Sequence, residues 1–210
     1  ILAIIVSILL ANNSFAQDTI AAWTFPTNSA DSLVDVSPGL NSSRYLSCSY
    51  GTWNTQTYYD IDIDYTMQGT GSINDYCASV TGIENGSDSI SWMIKFKTTG
   101  YSNIKFSSKQ RISSSTSKAA VKYLIQYKLS GTSVWHNVTD TVVCINDWTT
   151  GAVNEVALPA SCDDQSGQIS IRWLQVSNIL TGEKTTANSM LDDVVITGTL
   201  ATNIKDVFVN

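Results

Sequence analysis

Charged residues are scarce in this chain of 210 residues, at 14% against about 25% in a typical soluble domain. The 12 Lys and Arg are outnumbered by 18 Asp and Glu, which gives a net charge of −6. Binding to nucleic acid relies on clustered cations that neutralise phosphates, so this balance disfavours a nucleic-acid partner. No basic amphipathic stretch indicates a helix that lies on a membrane surface.

Histidine is almost absent, since His136 is the only one. A Ser-His-Asp triad would have to use it, and no G-x-S-x-G motif precedes a helical pattern. Pairs of carboxylates suited to glycoside hydrolysis exist in number but have no position that the sequence can assign. The sequence therefore predicts no catalytic residue and a protein that is not an enzyme, with a glycoside-active enzyme as the weakest of three alternatives.

No hydrophobic run is long enough to span a bilayer. The apolar run from Ile1 to Ala11 has eleven residues, and a spanning helix needs about 20. Small residues at Ser14 and Ala16 follow it, as in an export signal cleaved after Ala16. The run has no initiator Met and no basic segment, so residues 1–16 are interpreted as an N-terminally truncated signal peptide. We expect the chain to be secreted or held at the cell surface.

Cysteine is limited to four residues without CxxC spacing, which together with the single His argues against a zinc site. In an exported chain an even number of cysteines indicates disulfide bonds, and four allow three connectivities. The pairing that is local in sequence joins Cys48 to Cys77 and Cys144 to Cys162. It is favoured because each pair flanks a loop-rich stretch, and closing such a loop stabilises by roughly 3 kcal/mol.

Helical periodicity is nearly absent, and apolar and polar residues alternate with the period of a β-strand. The predicted strands cover residues 20–25, 58–66, 89–97, 102–112, 119–130, 134–138, 153–158, 168–176 and 191–197. This pattern predicts an all-β protein, a two-sheet β-sandwich of jelly-roll type with about nine or ten strands. Residues 17–198 would form that domain, and residues 199–210 would begin a linker to a missing C-terminal region. Trp23, Trp92 and Trp173 lie on apolar strand faces and are predicted to be core.

Three parts of the chain resemble a known module. They are residues 92–111, with KTTGY at 97–101, IKF at 104–106 and QR at 110–111; residues 127–135 (YKLSGTSVW); and residues 191–198 (LDDVVITG). Together they resemble the galactose-binding-like jelly-roll accessory module of secreted multidomain proteins of Bacteroidetes-like bacteria. The resemblance covers residues 20–198 and rests on packing motifs, which specify the fold better than the function.

The resemblance implies a secreted, non-catalytic carbohydrate-binding or accessory module of a larger surface or extracellular protein. Its expected partners are a glycan or polysaccharide and covalently linked neighbouring domains. A structural or adhesive spacer without a sugar site is the alternative. The resemblance also implies a structural Ca²⁺ that connects the first strand region to the last. Asp31 or Asp35 would bind it from one side, and Asp192 or Asp193 from the other. An ordinary capped Asp at a loop-to-strand junction is the competing interpretation.

Sugar sites combine aromatic planes with a few polar groups that fix orientation. Four aromatic residues lie in or beside polar segments rich in Gly and Thr and are the glycan candidates: Trp53, Trp148, Tyr50 and Tyr58. Trp53 and Trp148 are the first choices. Because the four also lie near cysteines in sequence, the competing interpretation is that they pack over the disulfide loops.

Overall fold

The computed structural model describes residues 17–27, 32–49, 58–60, 71–72, 75–81, 83, 86–114, 120–178 and 187–201. The predicted signal peptide lies outside these residues. In chain order the strands are β1 (Asp18–Trp23), β2 (Ser47–Ser49), β3 (Tyr58–Asp60), β4 (Ala78–Thr81), β5 (Ser91–Phe96), β6 (Tyr101–Ser114), β7 (Val121–Lys128), β8 (His136–Asn137), β9 (Val142–Cys144), β10 (Val153–Ala157), β11 (Ile169–Gln175) and β12 (Ala187–Leu200). A 3₁₀ turn at Ala160–Cys162 separates β10 from β11.

The strands form two antiparallel sheets. One has five strands in the order β1-β12-β6-β10, with β4 also paired to β12. The other has seven in the order β3-β2-β5-β11-β7-β8, with β9 also paired to β7. The predicted all-β sandwich of jelly-roll type is therefore confirmed. The described residues contain more strands than the nine or ten predicted, because β2, β4 and β9 have three or four residues each and are too short to show alternation.

The core lies between the sheets, and the three predicted core tryptophans are part of it. Trp23 and Trp173 are 0% exposed and Trp92 is 1% exposed. The rings of Phe106 on β6 and Trp173 on β11 lie 5.5 Å apart at 58°. Such tilted aromatic pairs add to the stabilisation that burial of the rings already provides.

Serine hydroxyls join the two sheets through this core. Trp92 Nε1 and Tyr123 Oη each donate to Ser189 Oγ at 2.8 Å. Trp173 Nε1 donates to Ser108 Oγ at 3.3 Å. A buried indole N–H or phenol without a partner costs free energy, so these bonds favour one alignment of the seven-stranded sheet over the five-stranded one.

The prediction of a disulfide bond between Cys48 and Cys77 is not met. The cysteines are buried thiols in this structure. Cys48 faces the core from β2, opposite Trp92. Cys77 precedes β4 outside the core cluster, and its charged neighbours are Asp192, Arg111 and Asp75. The five-stranded sheet therefore separates the two sulfur atoms.

The predicted bond between Cys144 and Cys162 is not formed either. Cys144 ends β9, next to the segment where Ile145 accepts a hydrogen bond from Ile112 at one end of β6. Cys162 lies in the 3₁₀ turn, next to the segment where Asp164 donates to Tyr101 at the other end of β6. The two sites are roughly 35 Å apart at the rise of a strand, whereas a disulfide bond needs Cα atoms within about 7 Å.

The last strand runs beyond the predicted domain boundary at residue 198. In β12, Thr199 pairs with Ser102 and Leu200 pairs with Tyr101 of β6. Sheet pairing therefore continues to Leu200. Across the described ranges, no helix has the length and apolar character needed to cross a membrane.

Candidate ligand-binding face

The seven-stranded sheet has one face against the core and one face turned away from it. In β11, Ile171 and Trp173 belong to the core and Arg172 between them points outward. We call the outward surface of β5, β11 and β7, together with Trp135 and Asn137 of the segment that follows β7, the outer face. Its central side chains are Met93, Lys95, Ser170, Arg172, Gln126 and Lys128.

A tight hairpin places Trp135 on the outer face. Thr132 donates to the carbonyl of Leu129 at 3.3 Å, and Gly131 takes a φ of 75°, which closes the turn after β7. The chain then returns as β8, in which His136 pairs with Tyr127. Because side chains alternate along a strand, Trp135 points to the same side as Lys128.

The indole of Trp135 is held against two cations. The guanidinium carbon of Arg172 lies 4.2 Å from the ring centroid, and Lys128 Nζ lies 4.8 Å from it. The electron-rich face of an indole attracts such cations, with about 0.5–2 kcal/mol for each contact. Trp135 is half-buried, so the ring is fixed in place and still meets solvent.

A chain of amide hydrogen bonds fixes the groups beside this ring. Arg172 Nε and Nη2 donate to Gln126 Oε1 at 3.0 and 2.7 Å, and Gln126 Nε2 donates to Asn137 Oδ1 at 3.0 Å. Gln126 is 9% exposed and Asn137 is exposed. The bond from Gln126 uses the carbonyl oxygen of Asn137 and leaves its two N–H donors for a ligand.

This arrangement has the parts that recognition of a polar ring needs. The indole offers a flat apolar surface, and the guanidinium and amide groups beside it offer donors in fixed positions. Sites of this kind take orientation from a few polar groups and contact area from the aromatic side chain.

Of the four predicted glycan candidates, only Trp148 has a described side chain. Trp148 lies in the loop between β9 and β10, half-buried, with the guanidinium carbon of Arg111 5.2 Å from its ring centroid. Arg111 belongs to β6, so Trp148 packs against the five-stranded sheet. Trp53 and Tyr50 lie outside the described residues. Tyr58 begins β3, and its side chain is not among those described.

The loop that carries Trp148 is fixed by Asp147. Its Oδ1 accepts hydrogen bonds from the backbone N–H groups of Thr149 and Thr150 at 2.9 and 2.6 Å. These bonds to the charged form lower the pKa of Asp147 to about 2, with the Thr150 N–H as the largest cause. The position of Trp148 is therefore set by its own loop as well as by Arg111.

Three of the four predicted calcium ligands, Asp35, Asp192 and Asp193, lie within the described residues. Asp31 lies outside the described residues. Asp35 Oδ2 accepts from the backbone N–H groups of Thr24 and Phe25 at 2.6 and 3.0 Å. Asp193 Oδ2 accepts from Lys109 Nζ at 2.9 Å. No group of three or more His, Cys, Asp or Glu side chains in the described part of the chain is positioned to hold a metal ion. Calcium binding by these residues stays a prediction.

Asp192 is a buried carboxylate with polar neighbours. Its Oδ2 accepts from the N–H of Ser72 at 2.7 Å, and its Oδ1 accepts from the N–H of Asp193 at 2.7 Å. A Cβ placed on Gly71 would lie 2.8 Å from Asp192 Oδ2 and 2.3 Å from Asp75 Oδ1, so only glycine fits between the two carboxylates. Burial is the main cause that raises the pKa of Asp192 to about 6.

His136 occupies an edge position. It is exposed on β8 and stacks on Tyr127, with ring centroids 5.2 Å apart and an interplanar angle of 28°. The stack supports the hairpin that carries Trp135. In the sequence, Trp135 is predicted only as part of a packing motif. Trp135 and Asn137 are two residues apart, as side chains on one face of a strand are, and they lie opposite Lys128 and Gln126. This alternation was the signal that could have identified the outer face.

Comparisons with known proteins give distant structural likenesses only. No protein-family model matches the chain, and no curated protein matches it. The chain is similar to a non-crystalline cellulose specific carbohydrate-binding module, CBM28, at 10% identity and a TM-score of 0.37, over 63% of this chain and 87% of that one. It is also similar to the N-terminal cellulose-binding domain of β-1,4-glucanase C from Cellulomonas fimi, at 14% identity and a TM-score of 0.32. That likeness covers 64% of this chain and 86% of the cellulose-binding domain.

A third likeness is to Xylanase10C from Cellvibrio japonicus in complex with xylopentaose, at 9% identity and a TM-score of 0.35. It covers 73% of this chain and 27% of the xylanase chain. With every TM-score below 0.5, these likenesses decide neither the fold nor the ligand of this chain. The function has to be argued from its own residues.

Proposed function

We propose that this chain is a non-catalytic carbohydrate-binding module of an exported protein, and that the glycan lies on the outer face against Trp135. The observation that carries the proposal is the indole of Trp135, held by Arg172 and Lys128 beside the amides of Gln126 and Asn137. A sugar ring presents an apolar C–H face and a rim of hydroxyl groups, and this site offers a counterpart to each.

The site is also suited to binding without large rearrangement. Its guanidinium and its central amide already hold fixed hydrogen bonds, so few side chains lose freedom when a ligand binds. Strand pairing of β7 with β8 and β11 holds the backbone that carries these groups. The proposal assigns Trp135 the contact area, and it assigns Arg172 and Asn137 the hydrogen bonds to ring substituents.

Two matched variants test the proposal. Trp135→Ala and Trp148→Ala each remove a half-buried indole that lies against an arginine, on opposite sheets. A panel of neutral and anionic polysaccharides is first screened with the unaltered protein, with calcium and again with a chelator. The dissociation constant for the best ligand is then measured by calorimetry. We expect Trp135→Ala to weaken binding roughly tenfold or more, as for a central aromatic contact, and Trp148→Ala to leave it unchanged.

Thermal unfolding serves as the folding control. Loss of either indole removes exposed contacts of about 0.5–1 kcal/mol each, so both variants should unfold within a few degrees of the parent. If Trp148→Ala weakens binding and Trp135→Ala does not, the glycan lies on the five-stranded sheet, where the sequence-based candidate lies. If no polysaccharide binds, the chain is a structural or adhesive spacer and the proposal is wrong.

A further inference from the structure

The outer face concentrates positive charge in an acidic chain. Lys95 on β5, Arg172 on β11, and Lys122 and Lys128 on β7 all point away from the core. The sequences of β5, β7 and β11 contain no Asp or Glu. The whole chain nevertheless has a net charge of −6, so these strands differ in charge from the chain as a whole.

On the five-stranded sheet, by contrast, two lysines form ion pairs. On its outward surface Lys105 pairs with Glu155 at 3.2 Å, and Lys109 pairs with Asp193 at 2.9 Å. Within the described residues neither Lys122 nor Lys128 forms an ion pair. Two lysines of the five-stranded sheet are thus neutralised by a neighbouring carboxylate, whereas among the described residues Lys122 and Lys128 of the outer face have no such neighbour.

Acidic side chains are scarce in the described part of the outer face. Its three central strands have none, and Asp140 is exposed in the connection between β8 and β9. Among the described side chains, the groups around Trp135 are therefore cationic or neutral.

Two of these cations contact the same ring. The guanidinium carbon of Arg172 and Lys128 Nζ lie 4.2 and 4.8 Å from the centroid of the Trp135 indole and belong to adjacent strands. Like charges on one sheet face repel each other, and the ring only partly offsets the repulsion. A bound anion would remove it, and the planar guanidinium matches a carboxylate better than it matches a single hydroxyl group.

From this geometry we infer that the ligand of the outer face is an anionic polysaccharide whose sugar rings carry carboxylates, that is, uronic acid units. The inference rests on the proposed function and narrows its ligand class. The sugar ring stacks on Trp135, and its carboxylate lies between Arg172 and Lys128. Lys95 and Lys122 contact neighbouring charged units along the same polymer.

The test compares polymers that differ in charge alone. Polygalacturonate is measured against its fully methyl-esterified form, and dextran sulfate against dextran. We expect polygalacturonate to bind at least tenfold more tightly than the ester, and the binding to weaken severalfold when NaCl is raised from 0.1 to 1 M, where the screening length falls from about 10 to about 3 Å. Dextran sulfate binding as tightly as polygalacturonate would show that any anion suffices and would overturn the carboxylate assignment.

Two variants that each remove one positive charge test where on the protein the anion binds. Lys128→Gln should weaken polygalacturonate binding several-fold, and Lys105→Gln, which removes a cation paired on the opposite sheet, should not change it. Equal losses from the two variants would mean that only overall charge matters, and would overturn the assigned position. Equal binding of the acid and the ester, lost in Trp135→Ala, would overturn this inference and leave the proposed function intact. Absence of binding to every polymer would overturn both.

Discussion

Asp192 is the residue at which burial and charge conflict most directly. Its carboxylate is 0% exposed, and burial in a poor solvent for charge favours the protonated form. The pKa rises from an ordinary 3.8 to about 6, even though the N–H of Ser72 stabilises the charged form. Only the alternation of 191–197 indicated that one of Asp192 and Asp193 is buried. The neighbours Ser72 and Asp75 are more than a hundred residues away, so sequence could not name them.

This conflict predicts a dependence of stability on pH. Between about pH 4 and pH 6 the folded chain keeps a proton on Asp192 that the unfolded chain has lost, so the free energy of unfolding falls as pH rises through that window. The stabilising contribution is complete below pH 3.8 and lost above about pH 6. Asp192→Asn should remove this decline, which we expect to be about 1–3 kcal/mol. Urea unfolding at pH 4, 5, 6 and 7 measures it.

Asp147→Asn is the control for this series. The pKa of Asp147 is lowered from an ordinary 3.8 to about 2, so from about pH 5 upwards its carboxylate is charged in both the folded and the unfolded chain and should not contribute to the decline. Between pH 5 and pH 7 the slope of that variant should equal the slope of the parent. If Asp192→Asn also keeps the parent slope, the pKa of Asp192 is not raised and the description of that carboxylate is wrong.

At the scale of elements, the hairpin from β7 to β8 has the largest consequence for the site. The sequence predicted it from the Gly131 turn, and it predicted the long strands β5, β7 and β11 because their alternation extends over six residues or more. It did not predict β2, β4 and β9. The sequence also could not predict the irregular register between Asp192 and Val195 in β12, because a bulge depends on the pairing with the partner strand.

The turn itself can be tested at Gly131. Its φ of 75° lies in the left-handed region, and no atom lies within 4 Å of the position where a Cβ would be added. Gly131→Ala should therefore cost only the backbone strain, about 1 kcal/mol. Ser133→Ala in the same exposed turn is the control and should change stability by less than about 0.5 kcal/mol. Chemical unfolding measures the free energy of unfolding of both variants. Equal losses in Gly131→Ala and Ser133→Ala would contradict the left-handed conformation of Gly131.

Over the whole molecule, the alternation of apolar and polar residues predicted the class of fold but not which residues are in contact. Alternation and turn spacing predict two sheets without their strand order. Cys144 and Cys162 are close in sequence yet lie beside opposite ends of β6. Trp135 and Trp148 are equally close, yet they pack against different sheets. Local spacing could therefore predict neither the disulfide bonds nor the outer face.

The cysteines give a test of the arrangement as a whole. Burial raises the pKa of Cys48 and Cys77 to about 12 and that of Cys162 to about 11. Buried thiols with raised pKa values react slowly with thiol reagents. Without any reductant, the native protein should show almost no reaction with Ellman's reagent at pH 8, and the chain unfolded in guanidinium should show all four thiols. Two or fewer thiols after unfolding would mean that disulfide bonds exist after all.

The central claim is that a glycan lies on the outer face beside Trp135. The most direct measurement is a two-dimensional NMR titration of the isotope-labelled protein with polygalacturonate oligosaccharides, with the indole N–H signals of the six tryptophans assigned by mutation. We expect the largest changes in chemical shift for the Trp135 indole N–H and for the side-chain amides of Gln126 and Asn137. The signal of the Trp148 indole N–H should not shift. Shifts centred on Trp148 and β6, with Trp135 unmoved, would contradict the central claim.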